Sequence, residues 1–181
     1  MNFRDCLGKK RLVLDGATGS VLQTRGLKAG ELPERWNLSH PDEIIGLAES
    51  YYRAGSDIVL TNTFGANALK YPEDLKEIVT AAVRNTKTAR ENVLREIDEN
   101  GKADRGDLFV ALEMGPTGKL LAPMGELPCE DAVSLFGEVV RYGAEAGADL
   151  ILIETMNDSY EAKAALLAAK ENSDLPVCIS M

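Results

Sequence analysis

The sequence predicts an α/β fold built on a parallel sheet, and three observations carry that prediction. One phrase occurs twice: residues 54–63 read Ala-Gly-Ser-Asp-Ile-Val-Leu-Thr-Asn-Thr, and residues 146–155 read Ala-Gly-Ala-Asp-Leu-Ile-Leu-Ile-Glu-Thr. Each copy ends a helical pattern at a glycine (Gly55, Gly147) and runs into a short apolar strand, the unit from which helix-covered parallel sheets are made. Short apolar runs alternate with helical periodicity along the whole chain. Each of the first four strands also stops on polar or glycine-bearing residues, and folds of this class put their chemistry at the carboxyl ends of strands.

The elements follow in order. Leu12-Val13-Leu14 forms the first strand, stopped by Asp15-Gly16-Ala17-Thr18-Gly19-Ser20. A long connection follows, containing the only tryptophan, Trp36. Ser39, His40 and Pro41 open a helix whose apolar positions Ile44, Ile45, Ala48, Tyr51 and Tyr52 keep helical spacing, and Gly55 ends it. Ile58-Val59-Leu60 forms the second strand and residues 61–71 a loop. From about Asp74, the spacing Leu75, Ile78, Val79, Ala82, Val83, Ala89 and Val93 marks a long amphipathic helix. The polar run 98–107 connects it over the surface to the third strand, Leu108 to Leu112.

Gly115-Pro116-Thr117-Gly118 then opens a long loop that reaches Pro128. The next helix turns Ala132, Leu135, Phe136, Val139 and Val140 inward and ends near Gly147. Leu150 to Ile153 is the fourth strand. Asn157 or Asp158 caps an alanine-rich helix of about 13 residues, and Val177-Cys178-Ile179 is the fifth strand.

Right-handed crossovers leave two architectures for five such strands: an open doubly wound sheet, or the first part of a (β/α)8 TIM barrel. An open sheet usually finishes with a helix over its last strand, whereas this sequence ends on one. The expectation is therefore a partial barrel over residues 1–181, incomplete at its C-terminal side.

Composition narrows the function classes. At 181 residues, with 45% hydrophobic and 27% charged residues, the chain can bury one sizeable core. A net charge of −9 argues against nucleic acid as a partner, because phosphate contacts need clustered Lys and Arg. No run is apolar for long enough to cross a membrane, and the N-terminus lacks a signal-peptide core, so a cytoplasmic protein is expected. Cys6, Cys129 and Cys178 are odd in number and far apart, which suits free thiols. With His40 as the single histidine, neither a Ser-His-Asp triad nor a His-rich zinc site can be assembled.

The strand ends carry the candidate chemistry: Asp15-Gly16, Thr61-Asn62-Thr63-Phe64-Gly65, Glu113 to Gly118, and Glu154-Thr155. Two carboxylates converging on one mouth, Asp15 and Glu154, suit a substrate ammonium group or a general acid/base pair; the alternative is that each caps the following turn or helix, a reading with more weight for Asp15 than for Glu154. The glycines Gly16, Gly19, Gly65, Gly115 and Gly118 serve tight turns or close ligand approach, and they match no phosphate-binding motif. Phe64 reads as the apolar wall of a pocket or as loop packing.

Taken together and in order, Leu14-Asp15-Gly16-Ala17-Thr18-Gly19, Thr61-Asn62-Thr63-Phe64-Gly65-Ala66, Gly115-Pro116-Thr117-Gly118 and Glu154-Thr155 resemble the homocysteine S-methyltransferase family. Within it, the nearer likeness is to the homocysteine-binding domain of the cobalamin-dependent methionine synthase type. The similarity runs from about Arg11 to the last residue. The resemblance implies a barrel that binds homocysteine at its C-terminal face, with zinc held by three cysteine thiolates activating the sulfur.

By motif position, the resemblance implies substrate binding by Asp15, Gly16, Thr63, Phe64, Gly65 and Glu154, and a mouth shaped by Asn62, Glu113, Gly115 and Thr117. The family's zinc cysteines follow strands six and eight, so no metal ligand is expected in this chain. Zinc then belongs to the complete domain, and cobalamin or folate to other domains. Two departures are Thr18, where the family commonly has methionine, and Glu113, where it often has aspartate. The implied partners are homocysteine and, for an incomplete sheet, the missing C-terminal half or a second copy.

Overall fold

The fold is that of a computed structural model, which describes residues 2–99 and 106–181. Its sheet holds four parallel strands in sequential order: β1 (Ile58–Leu60), β2 (Phe109–Met114), β3 (Leu150–Ile153) and β4 (Val177–Ile179). Three short helices and a single 3-10 turn precede them: α1 (Phe3–Cys6), α2 (Gly19–Thr24), the turn Pro33–Arg35, and α3 (Trp36–Ser39). Four long helices form the other layer: α4 (Pro41–Ala54), α5 (Leu75–Glu99), α6 (Cys129–Ala146) and α7 (Ser159–Asn172).

Side chains alternate across each strand, and the two faces differ. Val110, Leu112, Met114, Ile151 and Ile153 point outward into the main core with α5, α6 and α7. Val59 does the same with Ala48 and Tyr52 of α4 and with α5. Ile58, Phe109, Ala111, Leu150 and Leu152 point to the opposite face, where Phe3 and Cys6 of α1 cover them. All four long helices thus lie on one side of a sheet whose strand order never reverses. A doubly wound sheet has helices on both faces and a switch point, so the arrangement is that of a partial (β/α)8 barrel.

The first expected strand is a correction. Residues 12–14 are reduced to one parallel bridge, Leu14 to Ile58, and Val13 and Leu14 are each 46% exposed. Their backbone pairs on one side only, with β1, and that is too little to extend a ladder. The third strand runs further than expected, through Glu113 and Met114. The connection expected over 98–107 lies largely outside the described residues.

The duplicated phrase has a structural meaning. Gly55 and Gly147 both take left-handed backbone (φ +118° and +89°) and close α4 and α6, a conformation glycine adopts at little steric cost. Two residues later, Asp57 Oδ2 accepts the Val13 N–H at 2.9 Å, and Asp149 Oδ2 accepts the Val110 N–H at 2.7 Å. Each aspartate therefore ties the start of its strand to the strand before it.

Candidate active site

The carboxyl ends of the strands open on a cavity of about 470 Å³. Asp15, Gly16, Thr18, Gly19, Glu34, Asn62, Phe64, Glu113 and Glu154 line it, and among the described residues its wall holds no Lys, Arg or His.

Asp15 follows the Leu14 bridge. Its Oδ2 accepts the Leu60 N–H at 2.9 Å, which fixes the carboxyl at the end of β1. Its Oδ1 is buried and has no partner. Burial first and the neighbouring Glu154 second push the Asp15 carboxyl up to about 7, against the lowering effect of the Leu60 hydrogen bond.

Glu154 ends β3, its N–H bonded to the Met114 carbonyl at 2.9 Å. Thr155 follows with φ +57°, a left-handed conformation costly for a β-branched residue. Its N–H donates to Ser180 Oγ at 3.1 Å, so the chain turns sharply just after the carboxylate.

Glu113 of β2 lines the same cavity and is 7% exposed. Burial and a hydrogen bond with Glu154 raise its carboxyl well above the ordinary range, and Asp15 and Glu34 add to the effect.

Phe64 is 42% exposed at the rim. Gly115 lets the ring lie there: a Cβ at that position would sit 2.6 Å from Phe64 Cε2. The Gly115 N–H also donates to the Phe64 carbonyl at 2.8 Å. Asn62 lines the cavity with its side chain turned to the wall, donating to the Pro33 carbonyl at 2.8 Å, while its own carbonyl accepts from Asn37 Nδ2 at 2.8 Å.

Besides Gly115, three expected site residues stand behind the wall. Thr63 Oγ1 donates to the Glu113 carbonyl at 2.7 Å and lies 2.7 Å from Thr61 Oγ1. The Gly65 N–H donates to Glu34 Oε1 at 2.6 Å. Thr117 gives both its N–H and its hydroxyl to Glu161 Oε1, at 2.8 and 2.6 Å, which pins the 115–118 loop to α7.

Sequence reasoning missed Glu34. It is 5% exposed, lines the cavity, and accepts the Tyr71 hydroxyl at 2.7 Å as well as the Gly65 amide. It sits in the long connection before α4, where no periodicity singles out a residue. The only signal was an acid directly after Pro33. His40 stacks on Trp36 at 4.3 Å at the entry to α4 and does not line the cavity.

The cysteines do not fit a zinc centre. Cys6 is buried in α1 beneath the sheet, Cys129 starts α6, and Cys178 lies within β4. Among the described residues no three His, Cys, Asp or Glu side chains are grouped to hold a metal.

A partial parallel barrel with buried carboxyl groups gathered at its strand ends is the architecture of a barrel-type enzyme domain. The chain belongs to the homocysteine S-methyltransferase family, whose model matches residues 12–181. It is 32% identical over 174 residues to a methionine synthase of Mycobacterium tuberculosis (strain ATCC 25618 / H37Rv), and 31% identical over 176 residues to a methionine synthase of Mycobacterium leprae (strain TN). Each match covers 92% of this chain and 14% of the relative, so the chain spans about a seventh of their length. In fold it is similar to the metallated form of the homocysteine methyltransferase MmuM of Escherichia coli. The TM-score is 0.81 at 24% identity, over 98% of this chain and 65% of that one. Among the described residues no helix is long and apolar enough to cross a membrane.

Proposed function

We propose that this chain carries the amino-acid-binding part of a homocysteine S-methyltransferase, in which a methyl group passes to the homocysteine sulfur to give methionine. One observation carries the reading: Asp15 Oδ1 is buried without a partner in a cavity that Glu154 shares and no basic side chain lines. A substrate ammonium supplies the missing donor, and a charge-assisted hydrogen bond there is roughly twice as strong as a neutral one. Gly16 gives the backbone close approach, and Phe64 forms the apolar wall beside the substrate side chain. Thr63, Gly65, Gly115 and Thr117 act from behind, holding the Phe64 loop and the 115–118 loop in place.

Calorimetric titration with reduced L-homocysteine tests this. Binding is expected, with D15N and E154Q each weaker by tenfold or more, the effect of one charge-assisted bond of about 1.5–3 kcal/mol. A chain that takes up no homocysteine overturns the reading.

Zinc activation of the sulfur belongs, on this reading, to the complete domain, and cobalamin or folate to further domains. The chain alone is expected to hold no stoichiometric zinc and to transfer no methyl group; one zinc per chain on metal analysis would contradict that. A cytoplasmic setting is part of the same proposal, supported by three free cysteines. So is association across the sheet edges, supported by a β4 that pairs on one side only.

A further inference from the structure

Glu113 is the cavity carboxyl that substrate binding leaves without a task, and its backbone is clamped on both sides. Its N–H donates to Thr61 Oγ1 at 3.1 Å, and its carbonyl accepts from Thr63 Oγ1 at 2.7 Å. In the sheet Glu113 pairs with Leu152. Glu154, two residues beyond Leu152 and directly after β3, therefore presents its side chain on the same face beside it. The two carboxyl groups line the same cavity. Two adjacent carboxylates in a cavity lined by no described cation repel each other, so one of them carries a proton.

The more buried acid keeps that proton, since burial disfavours the charged form. Glu113 is 7% exposed, and Glu154 is only half-buried. The ionisable groups facing Glu113 are Glu154, Asp15 and Glu34, all acids. Cys178 lies on the same row of the sheet, beyond Leu152. Among the described residues no cation lines the cavity to favour an ionised Glu113.

We propose that Glu113 is a positioning residue: it remains a neutral acid and donates a hydrogen bond to Glu154, fixing the Glu154 carboxylate toward the substrate ammonium. The proposal rests on the amino-acid-binding reading above. The physical gain is a donor that adds no charge. A fourth carboxylate beside one ammonium would leave uncompensated negative charge in a poorly solvated cavity, whereas a carboxylic acid kept neutral by its surroundings orients its partner.

Two variants and one spectroscopic measurement test it. L-Methionine is the probe, because it carries the ammonium and no thiol proton. E113L removes the donor and is expected to weaken binding about tenfold, the worth of one hydrogen bond to a charged group. E113Q restores an N–H donor at the same reach and is expected to recover all but about threefold of that loss. A glutamine variant as weak as the leucine one, with the circular dichroism of the parent, means that an ionised Glu113 is required and overturns the proposal. Two variants that both bind like the parent overturn it as well.

The ligand-free chain gives an independent readout. The infrared difference between parent and E113Q at neutral pH is expected to lose the band of a protonated carboxyl. Loss of an ionised carboxylate band instead overturns the proposal whether or not any ligand binds. Failure of the parent to bind both homocysteine and methionine counts against the amino-acid-binding reading, and the infrared result then decides the state of Glu113 by itself.

Discussion

Because the Asp15 carboxyl ionises near 7 instead of near 3.8, pH acts in opposite directions on stability and on binding. The folded chain holds this proton through a range in which the unfolded chain has lost it. The contribution of Asp15 to stability is therefore full below pH 3.8 and falls away as pH rises to about 7. Melting at a series of pH values is expected to show D15N losing less stability than the parent across that window. An ammonium ligand prefers the ionised form, so affinity for a substrate amino acid is expected to climb as pH approaches about 7 and then level. A pH profile of the dissociation constant that is flat over this window in the parent would contradict the assignment. Asp15 and Glu154 were legible because each is the first polar residue after an apolar run. Glu34 was not, because it reaches the cavity through Pro33 and Gly65, contacts between distant segments that no local pattern records.

At the scale of elements, glycines set how closely the layers approach. Gly143 of α6 faces β2, and a Cβ there would fall within the Leu112 side chain, which is itself fully buried. G143A gains roughly 1 kcal/mol of helix propensity but overpacks the core at a cost of about 1–3 kcal/mol. A lower denaturation midpoint with an unchanged slope is the expected result. G115A acts differently, because the Phe64 ring it strikes is at the surface and can swing into solvent. The expected outcome is a small change in melting temperature together with a clear loss of ligand affinity. The positions of β1 to β4 and the two glycine helix ends were legible from periodicity and from the repeated phrase, whereas the strand expected at 12–14 is only a bridge. The roles of Asp57 and Asp149, which bond the preceding strand, were not: their partners Val13 and Val110 lie about 40 residues back in the sequence.

At the scale of the molecule, the sheet is covered on its outer face by α4 to α7 and, among the described residues, on its inner face by α1. Its two outer positions, the Leu14 bridge and β4, each pair on one side, and backbone left unpaired in this way is a template for further strands. Sedimentation at tens of micromolar is expected to give a mass above the 19.6 kDa of one chain; a single monomeric boundary would count against edge pairing. The choice between an open sheet and a barrel could be argued from sequence, but only the common side of the helices decides it.

The small helix α1 has a consequence of its own, in time. Phe3 meets the Phe109 ring edge-on at 5.4 Å, and Arg4 Nη2 reaches the Asp174 carbonyl at 2.7 Å. Residues of α1 therefore have their partners among residues made much later. At roughly 5–20 residues per second, Phe109 follows Phe3 by about ten seconds and Asp174 later still. Through that interval the apolar side chains of α1 lack these partners. The inner face of the sheet receives its cover from α1 only after Leu150 and Leu152 of β3 have been made.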